Sequence, residues 1–336
     1  MLHRLLAALA AGSVAMAFPA SAQDAAAWAK VVEAAKKEGK VVVYTSAIDG
    51  AHKEVVKSFT TKYGVQVEVL EARASEVRER IRAEQAAGRA IGDVSLNGST
   101  TTKLQLDEGV FQPHGSLPHG GKVVEPFSMD GTRVPAYAWS IGILANTNLV
   151  KPGEEPKSWA DLLDPRWKGK ILSDDYRALG TGAVFFFVTT EKLGPDFHPK
   201  LAANAPVFSR DILNDQRRVA RGEYALYITM SMPNVLKLKG LPVKLISPAE
   251  GSPYVRFDLA MLKGAPHPNA TRLLMNHFLE EESQLVYARQ GFGPTVGGVA
   301  AKAPAETKQM MTVKLLGTTD ASKQNDMLAL AKSIYK

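Results

Sequence analysis

The sequence of 336 residues contains no cysteine. This absence excludes a disulfide framework, a cysteine nucleophile and a lipidated cysteine that would anchor the chain to a membrane. The sequence also lacks a block of like charges, because 41 Lys and Arg residues are interleaved with 34 Asp and Glu residues, for a formal net charge of +7. Such interleaving argues against nucleic-acid binding. We therefore expect a fold that is stabilised by its hydrophobic core alone, with no nucleic-acid partner.

Long apolar runs are missing as well, except near the N-terminus. Residues 1–22 combine a basic start, an apolar stretch over residues 5–17 and the small-residue sequence Ala20-Ser21-Ala22. This order predicts a secretory signal peptide over residues 1–22 rather than a membrane anchor, because the apolar stretch is too short to span about 30 Å of hydrocarbon. We expect a free, monomeric protein in the periplasm.

Strand and helix signals alternate along the rest of the chain. Residues 40–44 are a β-branched run without polar alternation, which is typical of a strand buried on both faces of a parallel sheet. A chain of this length exceeds what one hydrophobic core usually serves, so the pattern predicts two α/β lobes. Helices are predicted at residues 25–40, 50–63, 76–88, 269–290 and 321–334, and strands at residues 65–70, 93–97, 171–173, 224–229 and 243–248.

Small polar residues follow the predicted strands of the first lobe. In open α/β sheets, ligands bind beyond the carboxyl ends of the strands, where hydroxyl groups and helix N-terminal amides face one crevice. The alternative is that such residues cap helices or form turns, roles that Ser, Thr and Asn favour. The candidate ligand contacts are Thr45, Ser46, Asn97, Ser99 and Thr100, the last two in a loop predicted over residues 98–102.

The second lobe offers a helix start at Gly180-Thr181-Gly182 and a polar strand exit that contains Ser231. A helix N-terminus attracts anions through its free N–H groups and its dipole. Thr181 and Ser231 are therefore expected to face Ser46 and Ser99 across the crevice.

Two long extended segments, residues 134–146 and 254–262, are predicted to run between the lobes. Because few extended residues would join the lobes, we expect hinge bending at residues 137–140 and 254–258.

Three arginines lie in or beside the predicted crevice segments: Arg177, Arg210 and Arg256. A guanidinium group can bind a carboxylate or phosphonate through two parallel hydrogen bonds, although solvated surface charge is the alternative. Trp139 and Tyr227 are candidates for an aromatic wall, with ordinary core packing as the alternative.

Several segments resemble type II periplasmic substrate-binding proteins, in the group that includes the ferric-iron binders. The matching segments are residues 41–46, 93–94, 159–165, 167–170, 222–224 and 264–270. The resemblance implies a periplasmic binding protein type II fold, with lobe 1 at residues 23–138 plus 256–300 and lobe 2 at residues 139–255 plus 301–336. It also implies that the protein hands a solute to the membrane permease of an ABC importer and needs no cofactor.

The expected ligand departs from that of the ferric binders. Those proteins carry an adjacent tyrosine pair where this chain has Thr229-Met230-Ser231-Met232-Pro233. Ferric iron prefers anionic oxygen ligands, which this loop lacks. We therefore expect a small anionic organic solute bearing carboxylate or phosphonate, with ferric iron or a ferric–anion complex as the alternative.

The sequence offers few signs of an enzyme, which is the main alternative to a binding protein. The sequence has neither a Gly-x-Ser-x-Gly elbow nor a His-Glu-x-x-His metal motif. Asp174-Asp175 is an adjacent acid pair, which more often forms a turn or a helix start. We expect a binding protein without catalytic activity or a bound metal, and a secreted hydrolase is the remaining alternative.

Overall fold

The computed structural model describes residues 20–46 and 50–336. The predicted signal peptide lies almost entirely outside the described residues. The α-helices are α1 (Ala20–Glu38), α2 (Gly50–Tyr63), α3 (Ala74–Ala86), α4 (Ser99–Asp107), α5 (Thr181–Leu193), α6 (Phe197–Ala202), α7 (Ile212–Ala220), α8 (Pro268–Phe278), α9 (Glu281–Arg289), α10 (Ala305–Met311) and α11 (Gln324–Ile334). The strands are β1 (Lys40–Thr45), β2 (Gln66–Glu71), β3 (Val94–Gly98), β4 (Arg133–Asn146), β5 (Ile171–Asp174), β6 (Val207–Ser209), β7 (Leu226–Ser231), β8 (Val243–Ile246), β9 (Ser252–Met261), β10 (Gly293–Pro294) and β11 (Leu315–Gly317). None of the helices described is both long and apolar enough to cross a bilayer.

The strands follow one hydrogen-bonded path, β2-β1-β3-β9-β4-β7-β5-β6. Strands β1, β2 and β3 pair in parallel at one end, and β5, β6 and β7 pair in parallel at the other. The central strands β4 and β9 are antiparallel to each other and paired from Arg133 with Ala260 to Ser140 with Tyr254. Two extended strands thus connect the two parallel sheets, as the sequence predicted.

Two apolar cores lie at opposite ends of β4 and β9. The first includes Phe59 of α2 and Phe278 of α8, and the second includes Trp159 and Phe185. Full burial of each such side chain contributes roughly 1.5–3 kcal/mol, so each half has its own source of stability. This arrangement confirms the predicted two-lobed α/β fold, while the lobe boundaries given above stay a prediction.

Several element boundaries differ from the sequence-based expectation by one to three residues, and three differences are larger or change the element itself. Helix α1 begins at Ala20 rather than at residue 25. Of the loop predicted over residues 98–102, Gly98 ends β3 and residues 99–102 form the first turn of α4. The helix predicted over residues 269–290 is broken, because Glu280 is extended between α8 and α9. The Gln284 side chain explains part of this break, since its Nε2 donates to the carbonyl of Phe278 at the end of α8, at 2.7 Å.

The break between α8 and α9 places the Glu280 carboxylate in a charged network. Its Oε2 lies 2.7 Å from Lys62 Nζ and 2.9 Å from His277 Nδ1, and its Oε1 accepts a hydrogen bond from the Tyr63 hydroxyl at 2.8 Å. Burial by itself would raise the pKa of Glu280, but these hydrogen bonds outweigh burial and lower that pKa to about 2. The ionised carboxylate therefore stabilises the contact between α2 and the break.

Replacing Glu280 by Gln should lower the free energy of unfolding at pH 7 by up to about 3 kcal/mol. The folded-state pKa lies below the unfolded value, so this contribution is present above about pH 5 and is lost as the pH falls towards 2. Urea unfolding at several pH values measures the difference between the two proteins. Glu282→Gln, at an exposed position of α9, is the control. A difference that stays constant with pH would contradict this assignment.

Candidate functional site

A cavity of about 300 Å³ lies between the two halves of the molecule. The Trp139 and Val255 side chains, which pack against both apolar cores, line it where the central strands pass. The remaining lining residues are Ala74, Gly98, Ser99, Thr100, Thr101 and Leu104 from the first half, and Tyr176, Leu179, Gly180, Thr181, Ala183, Val184, Phe186, Phe187, Thr318, Thr319, Gln324, Met327 and Leu328 from the second.

The N-terminus of α4 opens into this cavity through Ser99, Thr100 and Thr101. The N-cap residue is Gly98, so no side-chain oxygen of the cap occupies the N–H groups of the first turn. Thr102 Oγ1 turns away and donates to the carbonyl of Asn97 at 3.2 Å. Free N–H groups and the helix dipole make this end of α4 suitable for an anion.

The N-terminus of α5, which the sequence indicated as the anion site, is partly occupied by the chain itself. Asp174 Oδ2 accepts a hydrogen bond from the Gly182 amide at 2.7 Å. The backbone at Gly182 lies so close to Asp174 that a Cβ on residue 182 would be 2.6 Å from the Asp174 carbonyl oxygen. Burial raises the pKa of Asp174, although the Gly182 amide acts in the opposite direction. An internal carboxylate thus stands where an external anion was expected.

The C-terminal segment forms a wall of the cavity that sequence reasoning missed. Thr318 and Thr319 follow β11, and Gln324 is the first residue of α11. The hydroxyl groups of Thr319 and Thr100 are 2.6 Å apart, so a hydrogen bond crosses from one half of the molecule to the other. No local sequence signal places this segment at the site, because an amphipathic C-terminal helix assigned to lobe 2 can pack anywhere on the surface of that lobe.

The structure brings together four of the predicted ligand contacts, Ser99, Thr100, Trp139 and Thr181. The other candidates on strands do not line the cavity. Thr45 and Asn97 are buried, and the Asn97 amide donates to Ser95 Oγ at 2.7 Å. Ser46 and Ser231 are half-buried at strand ends. Tyr227 is fully buried in a core with Leu144 and Leu172, which corresponds to the alternative of ordinary packing.

The three predicted arginine contacts all have partners within the protein. Arg177 pairs with Asp175 at 2.8 Å, and Arg210 Nη2 donates to the carbonyl of Leu179 at 3.0 Å. Arg256 pairs with Asp258 at 2.8 Å, and the Asp258 side chain is fully buried. None of the three arginines is among the described residues that line the cavity.

Arg256→Ala should destabilise the fold, because it leaves the buried Asp258 carboxylate without its partner. Losing one member of a buried pair typically costs about 3–5 kcal/mol. Adding Asp258→Asn to that variant should recover part of the loss, and Arg210→Ala, at an exposed position, is the control. Urea unfolding measures stability, and calorimetry measures solute binding. Native-like stability with lost solute binding would instead identify Arg256 as a ligand contact.

A metal site built from acidic residues and histidines is not found in residues 20–46 and 50–336. No group of three His, Cys, Asp or Glu side chains there is arranged to hold a metal ion. Tyr176 lines the cavity, but its ring is fully buried, and burial strongly raises the pKa of its hydroxyl. The groups that the cavity offers for contact with a solute are therefore hydroxyl groups, amides and aromatic faces.

Residues 98–323 match the family of bacterial extracellular solute-binding proteins. An uncharacterized protein of Haemophilus influenzae is 31% identical over 271 residues, which cover 76% of this chain and 78% of that protein.

Solved structures of the same architecture include an apo ferric ion-binding protein A from Pasteurella haemolytica, with a TM-score of 0.75 and 17% identity over 88% of this chain and 98% of that one. A Trichodesmium protein in complex with iron and citrate ligands gives a TM-score of 0.72 and 19% identity over 89% of this chain and all of that one, 100%. Identities this low establish a shared fold, namely that of two-lobed periplasmic binding proteins.

Proposed function

The chain belongs to the bacterial extracellular solute-binding proteins. We propose that it serves an ABC importer and captures its solute through an anionic group at the N-terminus of α4. The observation that carries this proposal is the open first turn of α4, which faces a cavity between the two halves. A membrane permease would receive the solute.

The structural neighbours favour ferric iron as the cargo. The sequence by itself favours an anionic organic solute, with ferric iron second, so the order of the two candidates is reversed. One structural neighbour is a ferric ion-binding protein, and another holds iron together with citrate. Since no acidic or histidine cluster for a metal is found among the described residues, the iron would bring its oxygen ligands with it. We therefore favour a ferric–anion complex, bound through the anion.

A metal-free organic anion, bearing carboxylate or phosphonate, is the second candidate. The uncapped N-terminus of α4 and the hydroxyl groups of Ser99 and Thr100 suit such a group without any metal.

The sequence and the family also support a location, an oligomeric state and a non-catalytic role for the protein. A signal peptide at residues 1–22 would place the mature chain in the periplasm. We propose that it acts there as a monomer, without catalytic activity and without a cofactor.

Gly98→Asp tests the α4 site directly. A Cβ at residue 98 would have only Val255 Cγ1 within 4 Å, at 3.9 Å, so the backbone can accept a side chain. The new carboxylate should cap α4 and compete with the solute, lowering affinity at least tenfold while changing stability by only a few tenths of a kcal/mol. Gly98→Ala, which adds bulk without charge, should bind within about threefold of the native protein.

The test is a calorimetric titration of the native protein and both variants with four ligands: ferric citrate, citrate, inorganic phosphate and an alkylphosphonate. Binding of ferric citrate without binding of citrate supports the iron complex, and equal binding of a metal-free acid supports the second candidate. Binding that Gly98→Asp leaves unchanged, or no binding of any anion, would overturn the α4 site.

Closure of the cleft is also part of the proposal. Bending at residues 137–140 and 254–258 would move the halves together, and the hydrogen bond between Thr100 and Thr319 would hold the closed form. Small-angle X-ray scattering should show a smaller radius of gyration at saturating solute. An unchanged radius would contradict hinge closure.

A further inference from the structure

The cavity combines an anion-binding end in the first half of the molecule with a wall of apolar side chains from the second half. Its lining residues within the described part of the chain include no charged side chain. This apolar wall is formed by Phe186 and Phe187 of α5 and by Met327 and Leu328 of α11. A small, fully hydrated anion would lose water against these four side chains and gain no polar partner from them. The wall therefore fits a solute that is itself apolar on that side.

Gln324 lies beside this wall, on the side of the cavity that also carries the hydroxyl groups of Thr181, Thr318 and Thr319. It is only 8% exposed, and its Oε1 has no hydrogen-bond partner among the described residues. A buried amide oxygen without a partner costs free energy, which a hydrogen-bond donor on the solute would recover once the Gln324 side chain rotates this oxygen towards the cavity. Because Gln324 lies one helical turn before Met327 and Leu328, such a donor would sit next to the apolar part of the solute.

We propose that the solute is a carboxylic acid with an aromatic or branched apolar body and a hydroxyl or amino donor beside it, taken up free or as the chelator of ferric iron. The carboxylate binds at α4, the body packs against α5 and α11, and Gln324 accepts the donor. This assignment rests on the proposed function and specifies the class of solute for the same site.

Three acids of equal charge test this class: glycolate, mandelate and phenylacetate. Mandelate adds a phenyl ring to glycolate, and phenylacetate lacks the hydroxyl group of mandelate. Calorimetry on the full-length mature protein should show mandelate binding at least tenfold more tightly than glycolate, with a negative heat-capacity change. Mandelate should also bind several-fold more tightly than phenylacetate. Each acid is measured alone and premixed with ferric iron, which separates the free acid from the chelate.

Two leucines on α11 provide a matched pair of variants. Leu328 lines the cavity, whereas Leu330 is 40% exposed and is not among the residues that line it. Leu328→Asn should weaken mandelate binding about tenfold and leave glycolate unchanged, and Leu330→Asn should change neither. Gln324→Leu should remove the preference for mandelate over phenylacetate.

Glycolate or ferric citrate binding as tightly as mandelate would overturn the apolar class. A third outcome separates the two proposals. Suppose that ferric citrate binds and Gly98→Asp abolishes this binding, while none of the three acids binds either alone or with ferric iron. The apolar class of solute is then overturned, and the α4 site is retained. If no anion binds at all, the proposed function fails and this assignment fails with it.

Discussion

The antiparallel pairing of β4 with β9 is the constraint on which the rest of the structure depends. Strand β4 pairs with β9 in the first half and continues into the second half, where it pairs with β7, and β9 in turn pairs with β3. The backbone hydrogen bonds of this path connect the parallel sheets of the two halves. Trp139 and Val255 stand on this pair and contact both cores as well as the cavity. The position of the cavity is therefore a consequence of the pairing, and so is the burial of the Arg256–Asp258 pair on β9.

Electrostatic preorganisation differs between the two sides of the cavity. The first turn of α5 already has a carboxylate, that of Asp174, on one of its amides. The first turn of α4 has a glycine cap and faces the cavity without such an internal anion. This difference between the two helix N-termini favours α4 over α5 as the binding site for an anionic group. No charged side chain is among the described residues that line the cavity, so the α4 helix start is the feature that favours an anionic group there.

Much of the architecture could be predicted because it depends on local patterns. The run of β-branched residues gave β1, the helical spacing after it gave α2 with the same bounds, and the long extended segment gave β4. The family expected from matching segments is confirmed by the match over residues 98–323. The break at Glu280 was not predicted, because the contacts that Glu280 makes there, with Lys62 and Tyr63, come from a helix far away in the chain.

The site was predictable only in part, for the same physical reason. Sequence order indicates that Ser99 and Thr181 follow strands, and parallel strands bring such residues to one edge. It cannot show that Arg256 is bound to Asp258, that Tyr227 points into a core, or that α11 returns to form a wall. The sequence by itself determined the elements and the family, because periodicity and motifs are properties of neighbouring residues. The tertiary structure alone decided which charges are neutralised inside the protein and which helix end stays open, because those outcomes depend on partners far away in the chain.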